Sequence, residues 1–283
     1  MSAETMHPEA QKRATETLVK VVNSTGFPLQ LGIRRQVEET YNTHRWSVLS
    51  MEHPWKNPET DGAGYADLIL LSNCKSQVMI IECKRMLDVE WIFLTPTANR
   101  GGQPRHWTVA NAWISHGKED LLRFGWEQMQ TEPVGYRSEF CGIPKMDNKA
   151  TTMLERIGSE LIDATEAIAD QERLLCKGQN LLRAYHPVII TSAPLKVCKF
   201  STADVNEKGE IIHCEFEEVP FVRFHKCLGG RLGDLSKSTN LPEVLKEHER
   251  TIYVVNASKI VQFLENWEYT FPDGIVVPPW FAR

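Results

Sequence analysis

Three ionisable residues stand where two apolar runs of this chain meet their ends: Asp67 early in YADLILL (65–71), and Glu82 and Lys84 at the close of QVMIIECK (77–84). Side chains alternate along a strand, so positions 82 and 84 share a face. The runs are joined by SNCKS, which reads as the turn of a hairpin. With that turn centred on Cys74-Lys75, Asp67 falls directly opposite Glu82, at a Cβ separation of roughly 4.5–5.5 Å. Two carboxylates so close repel, and one must hold a proton unless a cation sits between them. A hard divalent cation bound by oxygen relieves the repulsion, and Mg²⁺ (or Mn²⁺) suits phosphate chemistry. Lys84 has only donors and is no ligand. Beside a metal it would orient or deprotonate an attacking water, or stabilise charge building at phosphorus. A plainer alternative stands beside this one: Asp67 caps a loop, and Glu82 and Lys84 form an ion pair at a strand end.

The elements that must position these residues are legible around them. Residues 7–24 read as an amphipathic helix closed by Thr25-Gly26. A second helix starts at Pro28, with Leu29, Ile33, Val37 and Tyr41 forming its stripe. WSVLSME (46–52) reads as a strand, and 54–64 as turn-rich loop. The hairpin strands are apolar on both faces: Leu68, Leu70, Met79 and Ile81 on one, Ile69, Leu71, Val78 and Ile80 on the other. They are therefore expected in the middle of a sheet covered on both sides. Residues 88–148, rich in Gly, Pro and Trp, read as an insertion with little regular structure. Residues 149–176 carry the strongest helical periodicity, through Met153, Ile157, Leu161, Ala164 and Ile168. Strands follow at HPVIITSA, LKVCKFST, VPFVRFHK and RTIYVVNAS, then a closing helix from Ser258 as N-cap. The order implies an α+β fold around a mixed central sheet flanked by helices.

Asp67, fifteen residues, then Glu82-Cys83-Lys84, set between an upstream helix and a downstream helix–strand pair, resembles the PD-(D/E)XK nuclease superfamily. The resemblance covers about residues 26–195 and implies a restriction-endonuclease-like core. The rest is then an insertion at 88–148 and a C-terminal elaboration at 196–283, in one domain spanning 1–283. It further implies Asp67 and Glu82 as metal ligands, the Cys83 carbonyl as another ligand and Lys84 as the catalytic lysine. The implied activity is metal-dependent phosphodiester hydrolysis, on DNA in preference to RNA, in restriction or phage defence, by a homodimer or a larger complex. Two departures stand out. The first-helix position that carries Glu in many members aligns with Gln30, and Ala66 replaces the Pro of the motif name. An inactive nuclease-like fold that binds nucleic acid or a protein partner is the rival reading.

With net charge −5 and pI about 6.0, any nucleic-acid surface has to be local. Arg85, Arg100, Arg105, His106 and Trp107 mix basic and aromatic groups just after the Glu-Cys-Lys strand. Lys196, Lys199, Arg223 and Lys226 form a second basic series. Gln128 and Gln130 read as exposed helix residues rather than as the downstream Gln of some exonuclease-like members. Cys198, His213, Cys214, His225 and Cys227 match no zinc-ligand spacing. The glycine-rich CLGGRLGD (227–234) lacks the Lys-Ser/Thr end of a P-loop and reads as a turn. Seven scattered cysteines without a CxxC pair, no apolar signal core and no membrane-length apolar run place the chain in the cytoplasm.

Overall fold

The computed structural model describes residues 8–97, 107–116, 119–144, 152–175, 181–228, 240 and 247–270. It is an α+β fold, with a ten-stranded mixed sheet and a smaller four-stranded one. Helices α1 (Pro8–Ser24), α2 (Phe27–Glu39) and the single turn α3 (Tyr41–His44) lead into β1 (Trp46–Lys56). The strands β2 (Ala63–Ser72) and β3 (Gln77–Lys84) follow, and the long helix α4 (Met153–Leu175) delivers the chain to β9 (Leu181–Thr191). The strands β1, β2 and β3 pair antiparallel in sequence order, and β9 lies parallel to β3, with Glu82, Cys83 and Lys84 opposite Ile189, Ile190 and Thr191. The strands β13 (Glu249–Asn256) and β12 (Phe221–Cys227) extend the sheet beyond β9.

The hairpin has the expected register. Leu68 pairs with Ile81 and Leu71 with Val78, across a turn in which Lys75 takes the left-handed conformation (φ 59°). Both of its faces are covered. Ile69, Val78 and Ile80 pack with Ile157, Leu161 and Ile168 of α4. Leu68, Leu70, Met79 and Ile81 pack with Ile33 and Val37 of α2. This two-sided burial is why the strands read as continuous apolar runs.

Residues 88–148 depart from the expectation of little structure. They supply β4 (Trp91–Thr97), β5 (Trp107–His116), β6 (Glu119–Glu132), β7 (Tyr136–Ser138) and β8 (Phe140–Gly142). β5 and β6 form a local antiparallel hairpin and β8 pairs with β4, while remote partners complete the placement: β5 also pairs with β9, and β4 runs parallel to β10 (Leu195–Ser201). Local pattern carries little of such pairing, because tertiary contacts set strand preference. Gln128 and Gln130 accordingly sit exposed on strand β6, not on a helix. The closing helix is shorter than expected. A 3₁₀ turn at 257–259 is capped by Asn256, whose side chain accepts from the Ser258 N–H at 2.9 Å. Helix α5 (Ile260–Glu265) follows, and Glu268–Thr270 forms strand β14 against β6.

Candidate active site

The hairpin brings Asp67, Glu82 and Lys84 together at its open end, one step beyond the last ladder pair. There the Asp67 Oδ2 accepts the Cys83 backbone N–H at 2.6 Å, so the carboxylate stitches the two strands where their own ladder stops. The Lys84 ammonium lies 2.5 Å from a Glu82 carboxylate oxygen, and both side chains are only partly exposed. The plain ion pair considered for these two residues is therefore present.

Asp67 is 9% exposed. Burial, followed by the charge of Glu82, pushes its carboxyl from 3.8 up to about 6. The Cys83 N–H and Lys84 pull the other way, and Glu52 adds a further push upward. Burial likewise pushes the Cys83 thiol well up, and the negative charges of Asp67, Glu82 and Glu52 act in the same direction. That thiol stays protonated, so the group Cys83 offers a cation is its carbonyl.

Glu52 was not foreseen as a site residue. It lies in β1 between Met51, which pairs with Leu68, and His53, which pairs with Ala66, and so falls beside Asp67. Its φ of 46° is left-handed, an unusual state for a non-glycine residue within a strand. The sequence offered one signal, an acid at the end of the strand preceding the hairpin. Its position beside Asp67, however, depends on a register shift between Val48 and Ser50.

Gln30 is buried with Ile33 and Val37 on the inner face of α2. Those neighbours pack on the hairpin face opposite Ile69 and Ile80. Among the described residues no hydrogen bond joins Gln30 to either carboxylate. Glu38 and Glu39, further along α2, pair with Arg34 and Arg35 on its exposed side.

Of the first basic series, Arg85 is half-buried just after β3 and Trp107 is 36% exposed at the start of β5. Arg100, Arg105 and His106 lie outside the described residues. The second series is committed internally. Lys196 pairs with Glu90 at 2.6 Å, Lys199 with Glu217 and Lys226 with Glu155. Arg223 is 2% exposed and donates to the Gly135 and Trp107 carbonyls at 3.0 and 3.3 Å. Each of these four cations thus already has a partner within the chain.

His225 is buried between Thr251 and Glu249, at 2.9 and 3.2 Å, and His213 stands 3.5 Å from Asp204. Among the described residues no group of three or more His, Cys, Asp or Glu is arranged to hold a metal ion. The donors near Asp67 still suit a hard cation. They are oxygens, and the repulsion raising the Asp67 carboxyl is what a divalent ion would relieve. Mg²⁺ commonly takes one or two carboxylates and completes its shell with water and substrate. Asp67, Glu82 and the Cys83 carbonyl meet that requirement in kind. Compared with known proteins, the chain matches no family model, no curated protein and no solved structure. Among the described residues no helix is long and apolar enough to cross a membrane.

Proposed function

We propose that the chain is a metal-dependent nuclease of the PD-(D/E)XK type, hydrolysing phosphodiester bonds, with DNA as its substrate in preference to RNA. One observation carries this reading. A buried carboxylate, Asp67, is held by the Cys83 N–H beside Glu82 and Lys84, at the open end of a hairpin covered on both sides. The order α2–β1–β2–β3–α4–β9, with β9 parallel to β3, is the frame the motif's resemblance implies, and it supports the reading. In this proposal Asp67, Glu82 and the Cys83 carbonyl hold Mg²⁺ or Mn²⁺. Bound there, the cation supplies Lewis acidity and lowers the pKa of a bound water. Asp67 and Glu82 supply the negative charge that attracts it. Lys84, which pairs with Glu82 at 2.5 Å, would orient or deprotonate the attacking water or stabilise charge at phosphorus. A restriction or phage-defence role, and a dimeric or larger assembly, belong to the same proposal.

The second reading, a nuclease-like fold that binds without cutting, is favoured by the closed Glu82–Lys84 pair and by the uncharged Gln30 on the first core helix. Incubation with circular DNA, linear DNA and RNA, with and without Mn²⁺, separates the two. The nuclease reading requires metal-dependent cleavage that Asp67→Asn and Glu82→Gln each abolish while the fold persists. Wild-type turnover in either variant would remove the assignment.

A further inference from the structure

On the smaller sheet, β11 (Glu215–Glu218) pairs antiparallel with β10, with Cys198 opposite Phe216 and Lys199 opposite Glu215. Alternation puts Lys199 on the face of Glu215 and Glu217, consistent with the Lys199–Glu217 ion pair. The other face carries Cys198, Phe216 and, one residue before β11, Cys214. Both cysteines are free thiols. Cys198 is only 2% exposed, whereas Cys214 is open to solvent.

The chain between them folds so as to bring the two sulfurs together. It leaves β10 through a 3₁₀ turn at Thr202–Asp204 and reverses over Asn206–Gly209, where Gly209 holds a φ of 78°. On the way back Val205 bridges Ile211, the Ile212 N–H donates to the Asp204 carbonyl at 2.9 Å, and His213 stands 3.5 Å from Asp204. This bracing delivers Cys214 to the base of the excursion, its sulfur within hydrogen-bond reach of the Cys198 sulfur. Diagonal neighbours across two strands ordinarily stand wider apart than opposed ones. The ladder stops at Glu215, however, so Cys214 is not held at that spacing. Among the described residues no third donor joins the two sulfurs in a metal-holding group, which leaves sulfur–sulfur chemistry as what the pair can do.

We propose that Cys198 and Cys214 are a site of reversible disulfide formation, oxidised by exchange with a low-molecular-weight disulfide of the glutathione kind. Cys214, the exposed member, is the point of entry. As thiolate it attacks one sulfur of the small disulfide, forms a mixed disulfide and expels the first small thiol. Cys198 then gives its proton to solvent and attacks the Cys214 sulfur, which closes the protein disulfide and expels the second small thiol. Two protein thiols are oxidised, and one small disulfide is reduced to two thiols. The two roles do not interchange. Burial, and then the adjacent Cys214 sulfur, push the Cys198 thiol up to about 11, so it is ill-suited to attack first and serves as the partner already in place. The bond closes residues 199–213 into a loop and ties the edge strand β11 to β10. This inference does not depend on the carboxylate site being catalytic.

The test reduces the full chain, holds it in millimolar oxidised glutathione, alkylates the remaining thiols and maps the peptides by mass spectrometry. The expected result is joint loss of both free thiols, a linked Cys198–Cys214 peptide two hydrogens lighter than the reduced pair, and full reversal by dithiothreitol. Cys214→Ser, a change at an exposed position, should leave Cys198 a free thiol. Cys198→Ala should arrest Cys214 as its mixed disulfide with glutathione. If that buried substitution fails to fold, Cys214→Ser decides by itself. The oxidised chain should melt above the reduced one, because the bond restricts the unfolded state, and Cys214→Ser should show no such shift. Asp67→Asn should form the bond as the wild type does, even if it loses cleavage. Survival of both thiols in millimolar oxidised glutathione, an unresolved mixed disulfide at Cys214 in the wild type, or pairing of either residue with another cysteine would each overturn the proposal. So would an oxidised chain that melts lower than the reduced one, since the bond would then distort the strands it joins.

Discussion

Replacing Asp67 by Asn should stabilise the protein at neutral pH in the absence of divalent metal. The folded Asp67 carboxyl titrates near 6 against 3.8 for the ordinary group, principally because it is buried and faces Glu82. Between those two values the folded state holds a proton that the unfolded state has released. Stability therefore falls as pH rises through that window, and above it the folded chain carries the full cost of a charged, crowded carboxylate. A difference of roughly two units, at about 1.4 kcal/mol each, amounts to about 3 kcal/mol. That is a large share of the ~5–15 kcal/mol by which domains are stable. Asn keeps an oxygen for the Cys83 N–H and carries no charge. Denaturant unfolding of both proteins in EDTA, from pH 3.5 to 8, reads the effect. The stability difference, variant minus wild type, should climb through the window from pH 3.8 to 6 and level off up to about 3 kcal/mol higher. Millimolar Mg²⁺ or Mn²⁺ should then raise the wild type and leave the variant unmoved, since only the native wild type offers the binding site. A pH-independent difference, or a variant that loses stability as pH rises, would refute the electrostatic account of Asp67.

Further outcomes follow from the same geometry. Lys84→Met should raise the Asp67 carboxyl further, seen by NMR titration, retain metal binding, and cut cleavage by on the order of 10²-fold or more. Glu52→Gln should lower the Asp67 carboxyl slightly and weaken metal binding without abolishing it, in calorimetric titration. Gln30→Glu should leave metal affinity unchanged, because Gln30 faces the α2 core; it should instead destabilise the fold at neutral pH, in thermal melts, by burying a charge. Gly135→Ala should cost about 1–3 kcal/mol in denaturant unfolding, since its Cβ would come 2.3 Å from the Phe221 ring.

The hairpin, its register and the covering of both its faces were legible in the sequence because they are local. Alternation has a period of two, the turn is short, and uninterrupted apolar strands require cover on both sides. The same locality brought Asp67, Glu82 and Lys84 together by counting along one turn, and made α4 readable from its own periodic stripe. What the sequence left open depends on partners far along the chain. Within 88–148, β5 and β4 are placed by β9 and β10, roughly 70 to 100 residues away, and local propensity carries no trace of such a partner. Lys196, Lys199 and Lys226 look like a basic surface in sequence, and only the folded chain brings Glu90, Glu217 and Glu155 against them. Glu52 joins Asp67 through a register shift in β1. Charge and spacing written within one hairpin are thus fixed by the sequence itself. Which acids and helices come round to meet that hairpin is decided by long-range packing, because the sheet has two faces and a single strand does not say which neighbour covers each.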